Sequence, residues 1–289
     1  MSRKLCLIFI ILPALFFMAG SGTGCWDKRE PDELGIIIGW GFDINPETGL
    51  FKVLAEVANP VGASVGQEGG GGGGKAPHWV VEAEGETAFA AIKRLELLST
   101  RVLFWSHLET VIFSEEFARN GLRPVLDFIE RGTETRLTPQ PFVVQGDVKK
   151  LLEIEYPLEQ LGSAALRKQF TGILLTESVV PEVDSFRLLF QFLSCPGQEL
   201  ILPRVQVLEA GEGKGEGTSP NSNINPVRIS GAAVFRGDRL AGFLEDRETS
   251  GYQWITNNIR GAALNLKCPG DEENLLSVSI TETSTRLEP

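Results

Sequence analysis

The first residue that could carry a covalent modification is Cys25, because of what precedes it. Arg3 and Lys4 are followed by the apolar run 5–19 and then by the small residues 20–24. This order of positive charge, apolar run and small residues is typical of an export signal, not of a folded element. The run is too short for a membrane-spanning helix, which needs about 20 apolar residues.

Cleavage directly before Cys25 would leave its thiol at the new N-terminus. A lipoprotein signal ends on a cysteine because that thiol takes the diacylglycerol. We therefore predict a signal peptide over residues 1–24 and lipidation of Cys25. Gly22 stands where leucine is preferred in such signals. A plain cleaved signal followed by an unrelated cysteine is the alternative.

The remaining cysteines give little further chemistry. Cys6 lies in the predicted signal, which leaves Cys195 and Cys268. In an oxidising compartment this pair could form one disulfide. Two separate buried thiols are the other reading, and the sequence leaves both open.

Two strings have the spacing of catalytic motifs without the necessary context. The segment 69–75 fits a phosphate-binding loop, but Ala76 follows where a magnesium-binding hydroxyl is needed. The segment 62–66 fits a nucleophile elbow, but glycines follow it in place of a helix. We therefore predict no catalytic residues, no cofactor-binding residues and no enzyme.

Metal ligands are also scarce. His78 and His107 are the two histidines, and without a cysteine cluster they give no zinc pattern. For His107 the favoured interpretation is a side chain whose hydrogen bonds are satisfied within a strand. The carboxylates form no pair at a recognisable spacing and are expected to make a solvated acidic surface.

The net charge narrows the classes of partner. It is −11 for the whole chain, and removal of Arg3 and Lys4 with the signal leaves −13. Such a surface argues against nucleic acid, whose binding needs cationic contacts with phosphate. It also argues against a polybasic grip on anionic lipid. Membrane attachment would then depend on the lipid itself.

The chain is long enough for one or two domains, and its composition suggests where they divide. The polar, glycine-rich interval 211–226 predicts a flexible linker. It would separate an N-terminal mixed α/β region, 25–210, from the start of a C-terminal α/β domain, 227–289. A further boundary near residue 145 is left open. The glycine tract within 62–75 predicts a surface loop.

Before this linker the pattern mixes strands and helices. Apolar runs predict strands at 34–44, 50–57, 78–83, 102–113 and 142–145. Apolar residues at helical spacing predict helices at 86–98, 124–131, 148–152, 158–170 and 182–193. The predicted fold class is α+β or mixed α/β, with several domains and small mixed sheets flanked by helices.

After the linker the pattern starts again. The strands 229–235 and 240–244 flank Gly237-Asp238, which predicts a hairpin. A helix near 245–256 and strands at 261–267 and 276–281 follow. The last strand alternates between apolar and polar residues, so one face needs a cover. Because little chain follows it, we expect this C-terminal domain to be truncated.

Three segments carry a resemblance to a known family. The first is Cys25-Trp26-Asp27-Lys28-Arg29-Glu30, with Gly41-Phe42-Asp43 after it. The second runs from Ser106-His107-Leu108-Glu109 through Ser114-Glu115-Glu116 to Leu126-Asp127-Phe128 and Arg131. The third is Phe235-Arg236-Gly237-Asp238-Arg239-Leu240, followed by Gly242-Phe243-Leu244 and the helix at 252–255. In order and spacing they resemble the Ger(x)C family of spore germination lipoproteins, the GerAC-like C subunits of nutrient germinant receptors.

The resemblance implies a non-enzymatic protein held on the spore inner membrane by a palmitate-bearing lipid on Cys25. It also implies two multi-pass membrane subunits as partners and a response to nutrients. Cys25 is the one site residue carried over. A stand-alone solute-binding lipoprotein of a transporter is the alternative, but it would need a ligand cleft between two lobes, and the sequence shows no symmetric lobes.

Overall fold

The structure is a computed structural model of the chain. It describes residues 33–58, 78–131, 136–154, 156, 159, 161–181, 183, 199–208, 227–268 and 271–280. Contacts divide the chain into two units, 1–34 and 35–289. Of the first unit only residues 33 and 34 are described, so the account below concerns the second.

The described part contains eleven strands and six helices. The strands are β1 (Leu34–Ile44), β2 (Phe51–Ala58), β3 (His78–Gly85), β4 (Val102–Phe104), β5 (Thr110–Ser114), β6 (Gln140–Gln145), β7 (Ile201–Val207), β8 (Val227–Arg236), β9 (Arg239–Leu244), β10 (Ala262–Cys268) and β11 (Asp271–Ile280). The helices are α1 (Ala88–Leu98), α2 (Glu115–Asn120), α3 (Arg123–Arg131), α4 (Val148–Leu152), α5 (Gly162–Thr176) and α6 (Asp246–Thr256).

Nine of these strands form one mixed sheet. Its order is β3-β2-β1-β5-β6-β7-β8-β9, and β4 also pairs with β1. Strands β1, β5, β6 and β7 are mutually parallel, whereas β2, β3, β8 and β9 add antiparallel partners on the two sides. Strands β10 and β11 form a separate two-stranded antiparallel sheet.

Helices cover both faces of the large sheet. On β5, Val111 and Phe113 join the core beneath α1, α2 and α3, whereas Ile112 joins the core beneath α4 and α5. This alternation follows from the two-residue period of a strand, and burial on both sides explains the continuous apolar run. The predicted mixed fold with flanking helices is confirmed, although the main sheet is larger than the small sheets expected.

Helix α1 shows how local sequence sets an element. The Thr87 hydroxyl caps its start by accepting a hydrogen bond from the Ala90 N–H at 3.1 Å. The predicted apolar stripe is buried at Ala88, Ala91, Ile92 and Leu95. Leu98 was expected on the same stripe but is exposed, because the helix ends there and the chain turns away.

The predicted long strand 102–113 was wrong in one respect: it is two strands, β4 and β5. A turn separates them, in which the Leu108 N–H bonds to the Trp105 carbonyl at 3.3 Å. Both side chains are buried, so the apolar pattern continues through the turn. His107 lies in this turn and is exposed, not held within a strand as interpreted from the sequence.

Other elements differ from expectation in extent. Helix α2 and strand β7 were not predicted, and α5 begins four residues later than the expected start at 158. Helix α2 follows β5 with no loop, so its start was hidden in a continuous pattern. Cys195, most of the predicted helix 182–193, the glycine tract and the predicted linker lie outside the described residues.

Strands on the two sides of the predicted linker pair with each other. Ile201 and Val205 of β7 face Val234 and Ile229 of β8, so β8 and β9 extend the sheet built by the N-terminal region. The unit 35–289 includes both sides. The division into domains at 211–226 stays a prediction, and any such division has to accommodate this pairing.

The two-stranded sheet of β10 and β11 exposes apolar side chains that the main sheet would bury. The predicted alternating strand is present in β11, but Leu276 and Val278 are exposed, as is Leu266 on β10. Ser277 and Ser279 between them are exposed as well. Within the described residues, no helix is long and apolar enough to cross a bilayer.

Candidate functional site

A groove of about 980 Å³ opens at one end of the main sheet. It lies where β1, β5 and β6 end, because parallel strands bring their carboxyl ends to the same edge, and ligands of open α/β sheets bind there. Most of the residues that line it are polar or charged, and those used below are Asp43, Lys52, Ser114, Glu115, Arg119 and Asp147.

The first motif, Gly41-Phe42-Asp43, ends in this groove. The Phe42 ring packs in the core, with its centroid 5.7 Å from those of Phe113 and Phe117. Gly41 faces α4, where a Cβ would lie 2.5 Å from Val148 Cγ1, so glycine allows the helix to approach. Asp43 then reaches the groove, and its Oδ1 accepts the Ile44 N–H at 2.8 Å.

The second motif, Ser114-Glu115-Glu116, forms the next wall. The Ser114 hydroxyl caps α2 by accepting the Phe117 N–H at 3.0 Å. Glu115 forms an ion pair with Arg119, one turn later, at 2.7 Å. Glu116 is exposed at the groove. The serine therefore serves as a helix cap, which is a structural use of its oxygen.

Asp147 and Lys52 complete the groove. Asp147 Oδ1 caps α4 by accepting the N–H groups of Lys149 and Lys150 at 2.7 and 3.2 Å. Lys52 lies 3.1 Å from Glu82, and Lys149 lies 3.3 Å from it. Burial raises the pKa of Glu82, but hydrogen bonds and charge from the two lysines outweigh it, so the pKa is below its ordinary value.

The charges that line the groove indicate which groups it can bind. Carboxylates outnumber cations in the groove, so it favours polar or positively charged groups on a partner. Among the described residues there is no group of three or more histidines, cysteines or carboxylates that could hold a metal ion.

The third motif lies against the helix that carries the second. In the turn between β8 and β9, the Asp238 carbonyl accepts the Leu122 N–H at 2.9 Å, and its Oδ2 accepts the Arg123 N–H at 3.3 Å. Gly237 N–H donates to Glu199 at 2.9 Å. The turn thus holds the junction between α2 and α3, so the described parts of all three motif segments contact the region around α2.

A buried carboxylate, missed from the sequence, lies deeper in the fold. Glu56 on β2 accepts the N–H groups of Gly162 and Ser163 at 2.8 and 2.9 Å. These belong to the first turn of α5, where the helix dipole favours negative charge. Its register partner Gly39 leaves the space, because a Cβ there would overlap Ser163 Oγ.

Two further groups surround this carboxylate. His78 Nδ1 lies 3.9 Å from Glu56 Oε1. Tyr156 is half-buried nearby, and desolvation together with the negative charge of Glu56 raises the pKa of its phenol. The sequence signal for Glu56 was a lone acidic residue in an otherwise apolar stretch of β2.

Arg204 is a second residue missed from the sequence, and like Glu56 it is a charged residue in an otherwise apolar strand, β7. Its buried guanidinium donates to the two carboxylate oxygens of Glu245 at 2.7 and 2.8 Å and to the Ser230 carbonyl at 3.0 Å. The hydrogen bonds from Arg204 lower the pKa of Glu245. Because Glu245 caps the start of α6, this pair ties that helix to β7 and β8.

The other residues singled out in the sequence lie either outside the described residues or away from this groove. Cys25 and the strings 62–66 and 69–75 lie outside the described residues. His107 is exposed beside Phe104, with ring centroids 5.4 Å apart. Glu109, also in the second motif, pairs with Arg167 of α5 at 2.6 Å.

The fold and the groove define a mixed α/β protein in which motif residues line a groove at the carboxyl ends of the parallel strands. Comparison with known families then identifies the family to which this protein belongs. Residues 27–207 match the family described as "Spore germination protein N-terminal domain", and residues 230–289 match "Spore germination B3/ GerAC like, C-terminal". The chain therefore belongs to the GerAC-like, Ger(x)C family of spore germination proteins, which confirms the resemblance seen in the sequence.

Curated relatives come from Bacillus subtilis (strain 168). "Putative spore germination protein YfkR" is 30% identical over 240 residues, covering 82% of this chain and 58% of the relative. "Spore germination protein KC" is 28% identical over 298 residues, covering 100% of this chain and 70% of the relative. "Spore germination protein B3" is 20% identical and covers 95% and 68%. The chain thus spans 58 to 70% of the length of these three relatives.

One solved structure is also similar. The crystal structure of the GerBC protein matches with a TM-score of 0.38 and 16% identity, covering 84% of this chain and 62% of that one.

Proposed function

We propose that this chain is a lipid-anchored, non-enzymatic subunit of a nutrient germinant receptor. It acts in spore germination on the outer face of the spore inner membrane. The observation that carries the proposal is the family match over 27–207 and 230–289, which begins two residues after Cys25. The proposed partners are two multi-pass membrane subunits.

Lipid on Cys25 supplies the attachment in this proposal. The signal pattern ends on that cysteine, and a net charge of −11 gives no general electrostatic attraction to anionic lipid. Each buried CH₂ of an acyl chain contributes about 0.8 kcal/mol, so two or more chains anchor a protein stably.

Replacing Cys25 tests this anchor. Cys25→Ala should release the protein from membranes or leave its signal uncut, as measured by fractionation and intact mass. Cys268→Ala is the matched control and should leave both the mass shift and the membrane fraction unchanged. An unmodified Cys25 in the membrane-bound natural protein would refute the anchor.

The receptor assembly needs its own test. A tagged chain solubilised from spore membranes should co-purify with two multi-pass proteins, identified by mass spectrometry. A permease and an ATPase in their place would support the alternative, a solute-binding lipoprotein of a transporter. Family membership favours the receptor, since the relatives are named as spore germination proteins.

Two residues of the groove support the proposal that the protein is not an enzyme. Ser114 and Asp147, which a catalytic site could have used, accept backbone hydrogen bonds as helix caps. Loss of a cap costs about 1 kcal/mol, so both residues have a sufficient structural reason to be there.

A further inference from the structure

Four large apolar side chains are exposed near the start of β1. Trp79 on β3 is 50% exposed and Leu97 on α1 is 85% exposed, and Leu98 and Val102 are each about half exposed. We call these four residues the apolar rim. Large exposed apolar groups that collect in one place mark an interaction surface more often than chance.

The end of α1 lies beside the start of β1. A Cβ on Gly35 would lie 3.3 Å from Leu103 Cδ2 and 3.7 Å from Arg101 Cβ. Val102 stands between these two neighbours in the chain, and α1 ends at Leu98, three residues before Arg101. Leu97, Leu98 and Val102 therefore lie a few residues along the chain from Arg101 and Leu103, the two neighbours of Gly35.

Trp79 reaches the same end through strand pairing. It faces Val57 of β2, and the next pair along, His78 with Ala58, leads to Ile36 of β1. Trp79 has the parity of Val81 and Ala83, which pack in the same core as the buried residues of α1. It thus belongs to the face of the sheet that α1 covers.

The covalent chain limits how far this end can be from Cys25. Gly35 follows Cys25 by ten residues, and ten extended residues span at most about 33–36 Å. The groove lies beyond the other end of β1, past Asp43. The end of β1 that carries the rim is therefore closer along the chain to the lipid than the end that carries the groove.

We infer that the apolar rim, Trp79, Leu97, Leu98 and Val102, inserts into the headgroup boundary of the bilayer that holds the lipid of Cys25. This inference rests on the proposed lipid anchor. Tryptophan is enriched at that boundary because its ring is apolar and its N–H stays hydrated, and leucines bury readily beside it. The rim then fixes which end of the protein faces the membrane and directs the groove away from it.

Fluorescence quenching by brominated lipid tests the insertion. The full chain is purified from membranes, its lipid on Cys25 is checked by intact mass, and it is reconstituted into vesicles of phosphatidylglycerol and phosphatidylcholine with bromine on the acyl chains. Bromine quenches only tryptophans at the bilayer. Trp79→Phe should lower the quenched fraction of the emission compared with the natural chain.

The matched control is Trp254→Phe, on α6. That helix packs on β8, six strand positions from β3, which is roughly 30 Å at the usual spacing of strands. This change should leave the quenched fraction intact. As a second variant, Leu97→Ser with Leu98→Ser should reduce quenching of the retained Trp79, and circular dichroism checks that each variant folds.

The outcomes separate the inference from the anchor. Lipid on Cys25 together with quenching that Trp79→Phe lowers supports both, because Trp26 beside the anchor stays quenched in either protein. Lipid on Cys25 with equal quenching in the natural chain and in Trp79→Phe overturns the insertion and leaves the anchor standing. Absence of lipid on Cys25 overturns the anchor and, with it, the geometric argument for the rim.

Discussion

Acidic side chains occupy two contrasting places in this molecule. In the groove, Asp43, Glu115 and Glu116 lie at the surface, where water screens them. Asp43 and Glu115 form their shortest hydrogen bonds with near neighbours in sequence, and Glu115 also accepts one from Gln145 at 3.4 Å. Glu56 is fully buried and bonds to residues more than 100 positions away. The fold therefore depends more on Glu56 than on these three groove acids, which remain accessible to a partner.

The largest effect is expected at the buried carboxylate. Glu56→Gln should lower the free energy of unfolding by about 2–3 kcal/mol, because Gly162 and Ser163 donate to different carboxylate oxygens and the amide puts a donor NH₂ in place of one of them. Urea denaturation of the two proteins measures this. A change below about 0.5 kcal/mol would remove the contrast between the two places.

Filling the space beside Glu56 should destabilise the protein nearly as much. Gly39→Ala is expected to cost about 1–3 kcal/mol, because the added Cβ would overlap Ser163 Oγ. Adding Ser163→Gly to this variant should restore part of the loss. A double-mutant cycle by chemical denaturation measures the coupling, and additive effects would show that the two residues do not contact each other.

An intermediate effect is expected where a buried cation meets an exposed acid. The Arg204 side chain is 3% exposed and that of Glu245 is 71% exposed. Glu245→Gln should cost about 1 kcal/mol at neutral pH, a modest figure because solvent screens the carboxylate.

This effect should depend on pH. Since Arg204 lowers the folded-state pKa of Glu245, the stabilisation is present above the ordinary value of 4.5 and is lost as pH falls through the folded-state value. The stability difference between the natural chain and Glu245→Gln should therefore shrink in acid. Glu130→Gln, an exposed acid on α3, is the control. A difference that stays constant from neutral pH to about 3 would contradict the ion pair.

The smallest effect is expected in the groove. Glu116→Gln should change the free energy of unfolding by no more than about 0.5 kcal/mol, as is usual for exposed residues. Thermal unfolding of both proteins is sufficient to check it. A larger loss would show that the groove acids also support the fold, and the comparison would have to be redrawn.

The sequence predicted the elements whose signals are local. Helix α1 has its cap and stripe, the β8–β9 hairpin has Gly237-Asp238, and Asp147 caps α4, all within a few residues. It also supplied Asp43 and the 114–116 segment of the groove, through the motifs of the family. That these segments meet could not be predicted, because the parallel pairing of β1 with β5 joins positions about 70 residues apart.

Long-range relations account for what was missed. Pairing of β7 with β8 crosses the interval 211–226, which composition alone marks as a boundary. Glu56 and Arg204 are charged residues in otherwise apolar strands, and their hydrogen-bond partners lie 106 and 41 positions away. Helix α2 was missed for a different reason, since it follows β5 without the loop that would have separated the two patterns.

The remote cap of α5 has a consequence for the order of folding. A helix with its cap in the adjacent turn can begin to form alone, but the first turn of α5 has no side-chain cap of its own at Leu161. Its N–H groups are satisfied by Glu56, 106 residues earlier, so they gain this partner only after β2 has taken its place. Interactions that form late in folding mainly slow unfolding when they are strengthened. We therefore expect Glu56 to act chiefly on the unfolding rate, which makes it a determinant of how long the folded protein persists.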